Sequence, residues 1–134
     1  MTLGKKTVEV HANQFDVIDD GFCISCSFGK IQGEAISYFQ LQRQHEYDEQ
    51  DRKLRQDKPY IELNDQKWGG YSCLERIEIK KNEIEFTVTD ACIERMRGAK
   101  IVRVILEAPV QTEVLNELKN YNAIWGIPLS IQEV

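Results

Sequence analysis

A chain of 134 residues, 42% hydrophobic and 29% charged, suits one soluble domain that buries roughly two thirds of its unfolded surface; no apolar run nears the ~18 residues of a membrane span. With a net charge of −5 and no cluster of lysines or arginines, the chain lacks the basic surface that phosphate backbones require. Direct nucleic-acid binding is therefore disfavoured and a basic protein partner favoured. The first lysines have no apolar segment behind them, so no secretory signal is read and a cytoplasmic protein is expected.

In residues 5–12, Val8, Val10 and Ala12 alternate with Thr7, Glu9 and His11, which predicts a strand with one wet face. Residues 13–18 continue it after an irregularity, and Asp19-Asp20-Gly21 is a strong turn signal. Phe22, Ile24, Cys26 and Phe28 form the apolar face of a second strand, and residues 29–33 connect it to a third over 35–43. There Phe39 and Leu41 look inward, with Ile36 and Tyr38 partly covering the other face. Short glycine-bearing turns make this an antiparallel meander.

The stretch from Arg43 to Ser72 is polar and carboxylate-rich, yet it carries Tyr47, Tyr60, Trp68 and Tyr71. A helical turn over 47–54 with Asp48 as its cap, a stop at Pro59, a short strand over 60–65 and a loop over 66–70 are expected. Beyond it, residues 74–80 and 83–89 read as a hairpin turning at Lys81-Asn82, with Asn82 in the left-handed conformation. Residues 90–98 read as a loop with a helical turn that tucks Ala91, Ile93 and Met96 under the sheet. The apolar run 101–106 reads as a central strand covered on both faces, the second by a helix capped by Thr112 that runs to about Tyr121 and exits at Asn122. Residues 129–134 add an edge strand; if that edge pairs with a second copy, a homodimer follows.

The sum is an α+β domain, mostly β, spanning residues 1–134: an antiparallel curled sheet or sandwich of six to eight strands with one C-terminal helix.

Two function classes compete. Glu46, Asp48, Glu49, Asp51, Asp57, Glu62 and Asp65 could hold a metal or form an acid/base pair. Against a metal-dependent hydrolase, no EF-hand spacing, phosphate loop or nucleophile elbow is present, and His45 has no nameable nucleophile beside it. Cys23-x-x-Cys26 has zinc-knuckle spacing, but on a strand the two thiols point to opposite faces. Cys23 and Cys26 are therefore expected to be free thiols, and no cofactor is expected. A binding module fits better: aromatics among acids and amides match the composition of interface hot spots.

Leu41-Gln42-Arg43, Asp48-Glu49-Gln50-Asp51, Tyr60-Ile61-Glu62, Asp65-Gln66 and Tyr71, followed by a charged hairpin, resemble the bacterial polymorphic-toxin immunity proteins of immunity family ten. The resemblance covers roughly residues 34–90. It departs at Arg55, where the family tends to glycine, and at Ser72 and Cys73, where glycines follow the tyrosine. It implies a small, mainly β cytoplasmic protein without catalytic turnover that neutralises a cognate toxin by binding it; many such toxins are nucleases with basic clefts. On that reading Asp48, Glu49, Asp51, Glu62 and Asp65 supply charge, and Trp68 and Tyr71 anchor the contact. A competing reading makes Asp48, Gln50, Asp51 and Gln66 buried partners that tie the long loop to the sheet. A small binding or oligomeric protein with no toxin partner is the further alternative.

Overall fold

The computed structural model describes residues 6–32 and 35–132; the side chains of 30–32, 35–37 and Gln66 lie outside that description, as do the turn at 33–34, the expected contribution of Ile36 and the proposed tie through Gln66. The described strands number ten, in two sheets, against the six to eight expected. Strand β1 (Lys6–Ala12) belongs to sheet A, whose order is β1-β9-β8-β7-β10. The other members are β7 (Leu74–Ile79), β8 (Glu83–Val88), β9 (Ala99–Leu106) and β10 (Leu129–Ile131). Sheet B is formed by β2 (Gln14–Asp19), β3 (Cys23–Gln32), β4 (Ala35–Gln44), β5 (Tyr60–Leu63) and β6 (Asp65–Tyr71), paired in that order.

Asn13 is thus the point where the chain leaves one sheet for the other, not an irregularity within a single strand. Sheet B is antiparallel throughout. In sheet A the β7–β8 hairpin and the β8–β9 pair are antiparallel, while β1 on β9 and β10 on β7 run parallel.

The sheets pack face to face, as alternation with period two dictates. Phe28 and Phe39 of sheet B meet Phe86 of sheet A at centroid distances of 6.1 and 4.7 Å. Val10, Leu41, Ile61, Leu63, Ile77 and Val104 fill the space around these rings.

Helix α2 (Thr112–Trp125) is longer than expected. Gln111 is the N-cap rather than Thr112, and the helix exits at Gly126, whose left-handed φ of 70° suits a residue without Cβ. It does not lie over the outside of β9. Its apolar face (Val114, Leu118, Tyr121) joins the same interior, and its Glu117 receives Arg43 of β4 at 2.7 Å. The outer positions of β9, Ile101, Arg103 and Ile105, are only half-buried.

Four further expectations are corrected. Phe22 is 63% exposed, because it precedes the strand it was assigned to. Residues 66–70 belong to β6. At the β7–β8 turn, Asn82 has no positive φ; Asn64, between β5 and β6, does at 63°. After β8, two short 3-10 turns (Asp90–Cys92, Glu94–Met96) bury Cys92 and Met96, while Ala91 stays exposed.

Cys23 and Cys26 are free, half-buried and buried, on opposite faces of β3 as expected. Cys73 and Cys92 are joined in a disulfide, Cα to Cα 5.4 Å, a pairing the sequence reading did not foresee. The hairpin is the cause. Leu74 pairs with Val88, which returns the chain to Cys73 just before Cys92.

Candidate functional site

The inner face of sheet B is sealed, so what the sheet can offer a partner lies on its outer face. The cross-strand register orders that face into rows. One row crosses all five strands: Ile18, Ser25, Gln42, Tyr60, Tyr71. The next holds Asp16, Ser27, Gln40, Glu62 and Gly69, and a third begins Gln14, Gly29, Tyr38.

The rows are built from short-range chemistry. Tyr60 and Glu62 are two apart on one strand and share a face, so the Tyr60 hydroxyl donates to Glu62 Oε1 at 2.7 Å. The Tyr38 hydroxyl, from β4, donates to Glu62 Oε2. Burial, reinforced by the Glu62 carboxylate, pushes both phenols well above the usual tyrosine range. Gly69 makes room for this arrangement. A Cβ there would come 2.8 Å from the Tyr60 hydroxyl and 2.7 Å from the Ile61 carbonyl, so the ring can lie across the strand only because glycine is present. Tyr71 stands edge-on to Tyr60 with centroids 5.1 Å apart. Ser27 donates to Gln40 Oε1 at 3.3 Å.

At the end of this face next to helix α1 (Glu49–Lys53) lies a depression of about 60 Å³, lined by Cys23, Gln42, Arg43, Gln44, Tyr47, Gln56, Lys58, Tyr60 and Tyr71. Gln44 Oε1 is buried there without a hydrogen-bond partner among the described residues. Tyr47 is fixed from two sides. Its hydroxyl accepts from the Gln44 amide at 3.0 Å, and its ring meets Trp125 of α2 at 6.1 Å. Trp125 Nε1 also donates to the Asp57 carbonyl at 3.0 Å, so the end of α2 holds the polar stretch in place from beneath.

The seven residues expected from the sequence separate into groups. Glu62 and Tyr71 lie together on the outer face of sheet B. Asp48, Glu49 and Asp51 form the start of α1 (Glu49–Lys53). There Asp48 and Asp51 make a reciprocal capping box: the Asp51 amide donates to Asp48 Oδ1 at 2.7 Å and the Asp48 amide to Asp51 Oδ2 at 3.0 Å. The helical turn and its cap are as expected. The pair is a local tie at an exposed helix start and not a buried bridge to the sheet. Asp65 accepts from the Lys67 amide at 3.1 Å at the start of β6. Trp68 is flanked by cations: Lys67 and Arg97 each lie 5.7 Å from its ring centroid.

Sequence reasoning missed Tyr38, Gln44 and the pair Arg43–Glu117. A signal for the pair was present: Arg43 keeps the inward parity of Phe39 and Leu41, and Glu117 sits one helical turn beyond Val114 on the buried stripe of α2. Among the described residues, no three of His, Cys, Asp and Glu gather as a metal site, and no helix is long and apolar enough to cross a membrane.

The departures from glycine noted in the sequence now have a geometry. Arg55 and Ser72 adopt left-handed φ values of 58° and 60°, the conformation that favours glycine. The model of the family described as Immunity protein 10 matches residues 9–114. The chain belongs to that family. The match takes in every strand of sheet B, α1 and the start of α2, so the family region includes the tyrosine face and the loop above it. Neither the curated proteins nor the solved structures gave a match.

Proposed function

We propose that this immunity-family chain binds a cognate bacterial toxin and neutralises it by stoichiometric contact, without turnover. Membership of the Immunity protein 10 family over residues 9–114 is the observation that carries the reading. The net charge of −5 supports a basic partner, and a nuclease with a phosphate-binding cleft is the toxin class that such a surface would block best. Asp48, Glu49, Asp51, Glu62 and Asp65 supply negative charge on this proposal, with Trp68 and Tyr71 as aromatic anchors. The toxin would be met in the cytoplasm, where its substrate lies.

The test is co-expression with the product of the adjacent reading frame. Growth should be rescued, and an equimolar complex should survive gel filtration. A neighbouring product that is harmless alone, or that stays lethal and unbound beside this chain, would overturn the proposal.

A further inference from the structure

The outer face of sheet A is laced with its own ion pairs. The outside of sheet A carries a row Glu9, Arg103, Glu85, Glu78, in which Arg103 reaches Glu9 at 3.4 Å and Glu85 at 3.1 Å. Lys100 is likewise committed to Asp90, Glu75 and the Val88 carbonyl. The paired rows on the outside of sheet B are different. Their only formal charges are the carboxylates of Asp16 and Glu62; the rest are tyrosine, serine, glutamine, glycine and Ile18, the last 58% exposed.

From this contrast we infer that the outer face of sheet B, centred on Tyr38, Tyr60, Glu62 and Tyr71, is where a basic protein surface docks. The inference rests on the toxin-binding reading and supplies its contact face.

Three features fit a cationic protein partner. Glu62 accepts two phenol hydroxyls, but a carboxylate has about four acceptor positions, so it can still receive an arginine or lysine. The depression beside it is walled by Tyr47, Tyr60 and Tyr71, whose ring faces attract cations, although Arg43 and Lys58 also take part in its lining. The rings are also held before any partner arrives, by Glu62, by the edge contact of Tyr60 with Tyr71 and by Trp125 beneath Tyr47. Large rigid aromatic area among serines and amides gives contact at small entropic cost, the composition that antibody-type paratopes use. The Asp48–Asp51 box then becomes a neighbour that fixes α1 at the rim, with Tyr71 close enough to sense the Asp51 charge.

The test uses the full chain and the adjacent-frame toxin, in a catalytically disabled form, in a calorimetric binding titration. Ser25→Lys and Gln40→Lys place a cation among the outer rows without touching the core, and each should weaken binding at least about 10-fold. Tyr60→Ala should weaken it about 30-fold or more, as a central aromatic anchor does. Arg103→Ala, on the outside of sheet A, should leave it within about twofold. Circular dichroism and thermal melting establish that each variant is folded, and the two lysine variants keep the test valid should Tyr60→Ala fail to fold.

Folded lysine variants that bind like the unaltered chain would overturn the assignment of this face and leave the toxin reading standing. So would loss of binding in Arg103→Ala alone. No binding by the unaltered chain overturns both.

Discussion

On the outside of sheet A, Glu9, Arg103 and Glu85 stand side by side, one guanidinium shared between two carboxylates; on the outside of sheet B the corresponding neighbours are Ser27, Gln40 and Glu62, with no cation in their row. Both sheets have five strands and share one interior. The difference therefore owes nothing to fold. On the proposed reading the sandwich keeps one wall for contact: ion pairs among neighbours need nothing from outside, whereas fixed rings and a half-used carboxylate can still take a partner.

The comparison can be broken most severely from inside. Phe86 is the ring on which both Phe28 and Phe39 rest. Phe86→Ala should cost about 3–5 kcal/mol in urea denaturation, and signals from both sheets should disappear in one transition. Two separate transitions would mean that the walls do not share a core.

A more selective break uses Arg43 and Glu117, whose side chains are 11% and 5% exposed. Arg43→Met should destabilise by about 3 kcal/mol, because it leaves a buried carboxylate with no cation and only the Asn120 side-chain amide as donor, and Glu117→Leu added to it should restore most of the loss. Hydrogen exchange should quicken first around β4 and α2 and last in the β7–β8 hairpin.

The charged wall should be nearly indifferent to single changes. Arg103→Ala removes several ion pairs at once, yet its side chain is one-third exposed and screened by solvent, so the midpoint should barely move in the same assay.

The smallest effect is a titration. Tyr38 and Tyr60 are held protonated above the ordinary value of 10.0, by burial first and by Glu62 second. Because their folded values are raised, the stability they contribute is complete below the unfolded value and is lost as the pH climbs through the folded ones. Glu62→Gln should move part of the phenolate absorbance rise to lower pH. The burial contribution remains, so the ionisation should not return fully to the free-tyrosine position. An unchanged titration curve would mean that the two phenols do not share that carboxylate.

Sequence pattern was sufficient where partners are local. Ile77 and Ile79 against Ile84, Phe86 and Val88 announce a hairpin by alternation, and Asp48 three residues before Asp51 announces a helix start. Pattern was insufficient where the partner lies far away. Nothing in the periodicity of residues 6–12 says that Val8 will lie beside Val102 in parallel, because a strand's own alternation specifies its faces but not its neighbour. Gly69-Gly70 read as loop since glycine usually marks one, whereas Gly69 here accommodates a ring lying across β6. At the site, Glu62 and Tyr71 were visible as an acid and an aromatic in a polar stretch. Tyr38 was not, since it enters from another strand and only the register brings its hydroxyl to Glu62.

The order of strands along the chain bears on how the molecule is made. All of sheet B lies between residues 14 and 71, each strand hydrogen-bonded to the one synthesised before it, while β1 must wait for β9 at residues 99–106. As the polypeptide leaves the ribosome, the tyrosine wall can be complete while Phe28, Phe39, Leu41, Ile61 and Leu63 still have no second sheet to cover them. A nascent chain stalled before β9 should therefore present a finished tyrosine wall backed by bare hydrocarbon, and should be the form that chaperones hold.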